Sequence, residues 1–356
     1  MARATIFDVA ERAGVSIKTV SRVVNREPNV RESTRERVQK AITDLSYRPD
    51  HSARNLASHR SYLIGLVYDD PDAYDMISGG YILDLQQGAL KGCDESQSQL
   101  LIHPCNYRED DVAERLKAMI QQTRLSGIIL AAPLSNMSNI VRAIEDTGTP
   151  FVSLSPGKAG VNNPSVTTND REVCAEMTRY LAELGHQRIA FITGDPVHEA
   201  VGNRFLGYKD GLSQSNLKFS EALVVAGDNS FGSGETCGAQ LLEMESRPTA
   251  IFAANDDMAA GVLRVAKCLG IVVPDELSIA GFDDIPLARQ VEPALTTIRQ
   301  PLVRMAERAA RMLAASNGDA TTDLVSDCVP ATIKIRESTG PAPDQVTQRA
   351  KRMRSR

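Results

Sequence analysis

A chain of 356 residues is longer than a single hydrophobic core usually sustains, so two or three domains are expected. With 42% hydrophobic and 24% charged residues it can bury a sizeable interior, which excludes wholesale disorder. The net charge of −5 hides a split: residues 1–60 hold twelve Lys/Arg against seven acids, net +5, and the remainder is −10, the asymmetry expected when one end meets a polyanion.

The opening MARATIFDVAERAG carries charges throughout and lacks the apolar run of a signal peptide, and nothing later approaches the roughly 18 consecutive apolar residues of a membrane span. A cytoplasmic protein with no membrane partner is expected. Thr5 followed three residues later by Asp8 makes a capping-box-like helix start, after which Ile6, Val9, Ala10 and Ala13 recur at helical spacing and Gly14 ends the helix. Ser16 is a natural N-cap for a second helix, Ile17 to Val24. Its Val20, Val23 and Val24 share one face, while Lys18, Thr19, Ser21, Arg22 and Asn25 lie elsewhere. A third helix runs from about Glu32 to Leu45 with Val38, Ile42 and Leu45 inward, and Tyr47-Arg48-Pro49-Asp50 stops it. Two short helices joined by a turn at Gly14 and followed by a third form a helix-turn-helix arrangement, whose second helix offers its polar face to a major groove.

From Ser61 the pattern changes to short apolar runs alternating with amphipathic stretches. The runs are LIGLV at 63–67, LLI at 100–102, GIILAA at 127–132, PFVSL at 150–154, RIAFITG at 188–194, AIFAAN at 250–255 and LSIAGF at 277–282. Helices such as 110–122, 172–184 and 257–269 lie between them, with a further helix at 302–315 and a late strand in VPATIKIR. Alternating βαβ units predict parallel sheets covered by helices, and the strands are too many for one compact sheet. The fold class is therefore α/β: an all-α helix-turn-helix unit, then two Rossmann-like parallel-sheet subdomains. The tail, GPAPDQVTQRAKRMRSR from Gly340, is polar and finally basic; it reads as disordered and has no leucine heptads for a coiled coil.

Signals of catalysis are missing. There is no G-x-G-x-x-G after a strand, no P-loop, no H-E-x-x-H and no G-x-S-x-G, and none of the five histidines sits in an acid/base constellation. His186, in LGHQR, reads as a turn-shaping residue. The six cysteines are scattered without a C-x-x-C pair and read as small buried hydrophobes. No enzyme activity, metal or cofactor is expected.

The run TIFDVAERAGVSIKTVSRVVN, continuing through TRERVQKAITDLSYRPD to ARNLAS, resembles the DNA-binding headpiece and hinge of LacI/GalR-family regulators. Downstream, LIGLV, SGIIL, ELGHQRIAFITG, IFAANDDMAAG, LSIAGFDDIPLA and PALTTIRQP are similar to the same family's periplasmic-binding-protein-like body. The resemblance implies a homodimeric repressor on a double-stranded palindromic operator, controlled by a small-molecule effector. Ile17, Lys18 and Arg22 would face base edges; Thr5, Ser16, Thr19, Ser21, Asn25 and Thr34 would complete the DNA contacts, largely to phosphates. A hinge helix over 52–57 would present Ala53 and Leu56, the leucine wedging into the minor groove. Residues 1–60 would be headpiece and hinge, and 61–340 the effector and dimerisation domain. Within that domain, subdomain 1 covers about 61–167 and 298–326, and subdomain 2 about 168–297 and 327–340. Crossovers fall near Thr168, Thr297 and Ser326, and residues 341–356 form the tail. Ligand in the cleft would shift the subdomains across the dimer and so decide whether the hinge helices form on DNA.

The same resemblance places Arg204, Asn255 and Asp283 on the effector. Their chemistry suits a polyhydroxylated ligand, a sugar or sugar derivative, with a purine-like molecule as the alternative. Ser155 stands where some sugar-binding members have Asp, Ala131 where they have Asn, and Asn229 where an aromatic stacks, with Phe231 two residues on. Asp69 and Asp70, after the first body strand, are extra carboxylates that can replace the lost groups.

Overall fold

The computed structural model describes residues 4–24, 30–47, 62–69, 79–157, 163–316, 318–319 and 324–343. The chain divides into two compact units, Met1–Ser61 and Tyr62–Arg356.

The first unit is built from helices α1 (Ile6–Ala13), α2 (Ile17–Val24) and α3 (Glu32–Asp44). Thr5 closes a capping box on α1: its Oγ1 accepts from the Asp8 amide at 3.4 Å and donates to Asp8 Oδ2 at 2.8 Å, while its own amide donates to the same carboxylate at 2.7 Å. Those bonds hold the Asp8 carboxyl below its usual range. Gly14 ends α1 in the left-handed region at φ 62°, a conformation that favours a residue without Cβ. Ser16 Oγ then accepts from the Thr19 amide at 3.2 Å and opens α2. Val9, Ala10, Ala13, Val20, Val23, Val38 and Ala41 form the small core.

The second unit contains two six-stranded sheets. The first holds β1 (Leu63–Asp69), β2 (Gln99–Cys105), β3 (Gly127–Leu130), β4 (Phe151–Leu154), β5 (Ser165–Thr167) and β11 (Asp327–Cys328), in the order β11-β5-β4-β3-β1-β2. The second holds β6 (Ile189–Thr193), β7 (Val224–Ala226), β8 (Ala250–Ala253), β9 (Ser278–Asp283), β10 (Thr296–Arg299) and β12 (Thr332–Lys334), in the order β12-β10-β9-β8-β6-β7. Neighbours pair in parallel except β10 with β12, which is antiparallel. Central strands covered on both faces need continuous apolar runs rather than alternation; accordingly β3, β4, β8 and β9 are buried along their whole length.

The helices of the body are α4 (Gly80–Glu95), α5 (Val112–Thr123), α6 (Ser138–Glu145), α7 (Asp170–Glu183), α8 (Ala200–Gln214), α9 (Phe231–Leu242), α10 (Asp256–Cys268), α11 (Leu287–Gln290) and α12 (Leu302–Ser316). Helix α4 lies against α12 through glycines: a Cβ on Gly88 would sit 2.1 Å from the Val303 carbonyl oxygen, and one on Gly92 2.6 Å from that of Glu307. The obstacle is backbone, so it cannot rotate away. Gly88→Ala is expected to cost about 1–3 kcal/mol of stability in urea unfolding. Gly79→Ala, whose Cβ would meet nothing within 4 Å, serves as the control; equal stabilities for the two variants would contradict this packing.

The chain passes between the sheets three times. The first follows β5, at Thr168. Thr297, however, lies inside β10, paired with Gly281, and no breaker intervenes before Pro301, so this crossing falls after Arg299. At Ser326 the chain still has to add β11 to the first sheet, a two-residue strand too short to carry a periodic signal, and it leaves only after Cys328. No helix among the described residues is long and apolar enough to cross a membrane.

Candidate DNA face and effector cavity

Capping at Ser16 and burial of Val20 and Val23 fix the orientation of α2. Ser16, Ile17, Lys18 and Arg22 are thereby exposed, and Thr19, Ser21 and Thr34 are partly buried. Ile17, at 40% exposure, is a large apolar side chain held in water on the face read as DNA-contacting. A hollow beside this face gathers Val15, Ser16, Thr19, Arg22, Arg31, Thr34 and Arg37. It adds two cations, Arg31 and Arg37, that the sequence reading did not single out; their place at and within the start of α3, facing α2, is visible only once the helices pack. Hydroxyls and guanidiniums side by side are the donors that hold phosphate oxygens. Asn25, Ala53 and Leu56 lie outside the described residues.

The second site is a cavity of about 280 Å³ at the carboxyl ends of both sheets. Strand order reverses at β1, which lies between β2 and β3, and at β6, which lies between β7 and β8; in open α/β sheets, crevices form at such reversals. Asp69 ends β1, Ala132 follows β3 and Ser155 follows β4; from the other side, Asp195 and His198 follow β6, Asn229 follows β7, Asn255 follows β8, Asp283 ends β9 and Gln300 follows β10. Backbone strain collects here: Ser155, Asn229 and Asp283 all have positive φ, at 47°, 72° and 113°.

Arg204 anchors the floor. Its Nε donates to Asp170 Oδ1 at 3.1 Å, its Nη1 to the Ala254 carbonyl at 2.6 Å, and its Nη2 lies 3.8 Å from Asp283 Oδ1. The guanidinium rests 3.7 Å from the centre of the Phe282 ring. Asp283 also accepts from Gln300 Nε2 at 2.6 Å. Burial pushes the Asp283 carboxyl up to about 6, opposed by Arg204 and by the Gln300 bond. Tyr81, from the first turn of α4, has its phenol raised by burial and then by the Asp283 charge. Asn255 is fixed at both ends of its amide, accepting from the Met258 amide at 2.9 Å and donating to the Asn229 carbonyl at 2.7 Å. Asn136 ties the two sides of the cleft: its Nδ2 donates to the Val197 carbonyl at 2.9 Å and its Oδ1 accepts from the Gly157 amide at 2.6 Å. Such convergent acceptors and donors are suited to holding hydroxyl groups; no nucleophile with an adjacent base stands among them.

Arg204, Asn255, Asp283, Asp69 and Ser155 therefore share one cavity. Phe231 does not. It is the first residue of α9, after the N-cap Ser230, and that start turns its ring toward α10, 6.0 Å from the Arg264 guanidinium; the residue two before it, Asn229, lines the cavity instead. Asp70 lies outside the described residues. Tyr81, Tyr107, Arg108, Asp195, His198 and Gln300 were not picked out by the sequence reading, although each residue in this set other than Tyr81 follows a strand end, the one signal that marks them. His186 stands outside the cavity lining: its Nδ1 meets Thr249 Oγ1 at 2.8 Å and its Nε2 meets Ser278 Oγ at 2.9 Å.

His198 gives a pH prediction. Burial pushes its imidazole down to about 4 from 6.5. A lowered folded value means that the unfolded chain binds the proton first, so stability is lost as pH falls from 6.5 toward 4. His198→Gln should flatten that part of the urea-unfolding profile, and a variant profile parallel to the wild type would contradict the assignment.

Residues 5–50 match the family described as bacterial regulatory proteins, lacI family, and residues 178–339 match the periplasmic binding protein-like domain. Catabolite control protein A of Priestia megaterium is 32% identical over 338 residues, spanning 94% of this chain and 99% of the relative. A solved complex of the transcriptional regulator CelR with cellobiose is 28% identical at a TM-score of 0.71, covering 94% of this chain and all of the other. The lac repressor dimer bound to operator and the anti-inducer ONPF is 25% identical at a TM-score of 0.75, covering 95% and 100%. With its helix-turn-helix unit, its paired α/β sheets and a relative of this identity along nearly its whole length, the chain belongs to the LacI family of bacterial regulatory proteins.

Proposed function

We propose that the protein is a homodimeric repressor whose affinity for a palindromic operator is set by a sugar or sugar derivative held in the cavity. The observation that carries the ligand class is the convergence on one space of Ser155, Asn255, Asp283 and Gln300, from the ends of separate strands, and of Arg204, from the start of α8. A sugar presents hydroxyls in several directions, each able to donate and accept, and this lining meets them with both kinds of partner. The related regulator solved with cellobiose supports the same class. On the DNA side, Lys18 and Arg22 donate to guanine O6 and N7, Ile17 offers apolar contact to a thymine methyl, and Ser16, Thr19, Ser21 and Thr34 set register on phosphates. A dimer presents two copies of α2, one to each half-site.

A thermal-shift screen of the full chain against sugars and nucleobases tests the ligand class, with a sugar raising the transition temperature as the expected result. A shift by adenine, guanine or hypoxanthine alone would replace the sugar reading with the purine one. Asp69→Ala should then abolish the effector response and leave operator binding intact. An unchanged response removes Asp69 from the site.

A further inference from the structure

The cavity carries a charge bias that narrows the ligand beyond the sugar class; the inference rests on that reading of the site. Its charged lining residues are Asp69, Asp195, Asp228, Asp257 and Asp283 against Arg108 and Arg204. The guanidinium of Arg204 is already matched by Asp170, which stands outside the lining, at 3.1 Å. An anionic ligand would enter an excess of like charge.

The usual remedy for a phosphate in an α/β crevice is a helix N-terminus, where unpaired backbone amides and the helix dipole favour negative charge. Helices α8, α9 and α10 follow the loops that end at this cavity. Four of the amides at those loops and helix starts are occupied by the chain's own side chains, although Glu199 makes no side-chain cap on α8. The Val197 amide donates to Asp195 Oδ1 at 2.9 Å, and the Ser230 amide to Asp228 Oδ1 at 2.9 Å. The Ser233 amide donates to Ser230 Oγ at 3.0 Å, and the Met258 amide to Asn255 Oδ1 at 2.9 Å. Two of these acceptors are themselves carboxylates, and Asp256 and Asp257 occupy the first turn of α10. Charge and donor supply point the same way.

We infer that the cavity selects an unphosphorylated, uncharged or aminated sugar and rejects the phosphorylated form of the same sugar. Phosphoryl transfer from a nucleoside triphosphate to a hydroxyl of the free sugar, releasing the diphosphate and the hydroxyl proton, is then the class of reaction that ends its action as effector.

Calorimetric titration of the full chain with three matched sets tests this: glucose, glucosamine and glucose 6-phosphate; galactose, galactosamine and galactose 6-phosphate; cellobiose and its phosphate ester. In any set that binds, the parent or amino sugar should bind at least about tenfold tighter than the phosphate, the scale of one uncompensated charge contact. A phosphate that binds as tightly as its parent, or more tightly, overturns the inference while leaving the sugar reading in place. Binding by no member of any set removes the sugar reading and this inference with it. The double variant Asp195→Asn, Asp228→Asn keeps an acceptor oxygen for each amide and removes two charges. It should narrow the parent-to-phosphate ratio by about tenfold; an unchanged ratio counts against the charge argument.

Discussion

Arg204→Ala should destabilise the body by roughly 3–5 kcal/mol at neutral pH and eliminate ligand binding, the largest stability effect expected of any single change at the cavity. Arg204 is 9% exposed, Asp170 5% and Asp283 9%, so removing the cation strands two carboxylates where water cannot solvate them. The loss should be conditional. Burial raises both carboxyls even with Arg204 present, Asp283 to about 6, and without the guanidinium both rise further. A group with a raised folded pKa contributes stability below its unfolded value and loses it as pH rises through the folded one. The variant's carboxyls then take up protons at higher pH than the wild type's, so the gap between wild type and Arg204→Ala should close as the pH is lowered from the alkaline side toward about 6, and Asp170→Asn added to the variant should recover part of it at neutral pH. Urea unfolding of the full chain across that range checks both statements; a gap independent of pH would mean that lost packing on Phe282, and not stranded charge, is the cost.

The second large effect is on DNA. Arg22→Ala should weaken binding to the preferred duplex by about 1–3 kcal/mol, tenfold or more, and relax the choice of base at one position in each half-site. Arg31→Ala or Arg37→Ala, at the hollow beside α2, should weaken all duplexes alike and lower the dependence on salt by about one counterion. The contrast separates a base-reading residue from phosphate-binding ones on the same unit. Anisotropy titrations over a salt series with the preferred duplex and single-base variants measure it. Equal losses on every duplex for Arg22→Ala would reassign it to the backbone.

Much of this was legible in the sequence because local chemistry and global fold agree. Thr5, Gly14 and Ser16 announce the helix boundaries of the first unit, and those caps form as read. The continuous apolar runs of β3, β8 and β9 mark central parallel strands, since only a strand covered on both faces needs them. Several short strands were not legible. Strands β5, β7 and β11 are two or three residues long, too short for any period, and the third crossing follows the last of them. The cavity was half legible. Arg204, Asn255 and Asp283 came from resemblance, whereas His198 and Tyr81 belong to no motif and Gln300, inside PALTTIRQP, carries no signal of its own, because the site is assembled from separate strand and helix ends and only the packed sheets bring them together. Phe231 shows the converse error: two residues past the cavity-lining Asn229, at the first position of a helix, the side chain already points into a helix seam.

The central claim is that occupancy of the cavity governs the grip of α2 on DNA. It is tested most directly by the operator affinity of the full chain, measured by anisotropy on a duplex selected from a random pool. The measurement is made with and without a saturating amount of the sugar that gives the largest thermal shift. A change of about 5–150-fold is expected, matched by an equal change in sugar affinity when operator is present. Identical operator affinities in the two conditions would contradict it.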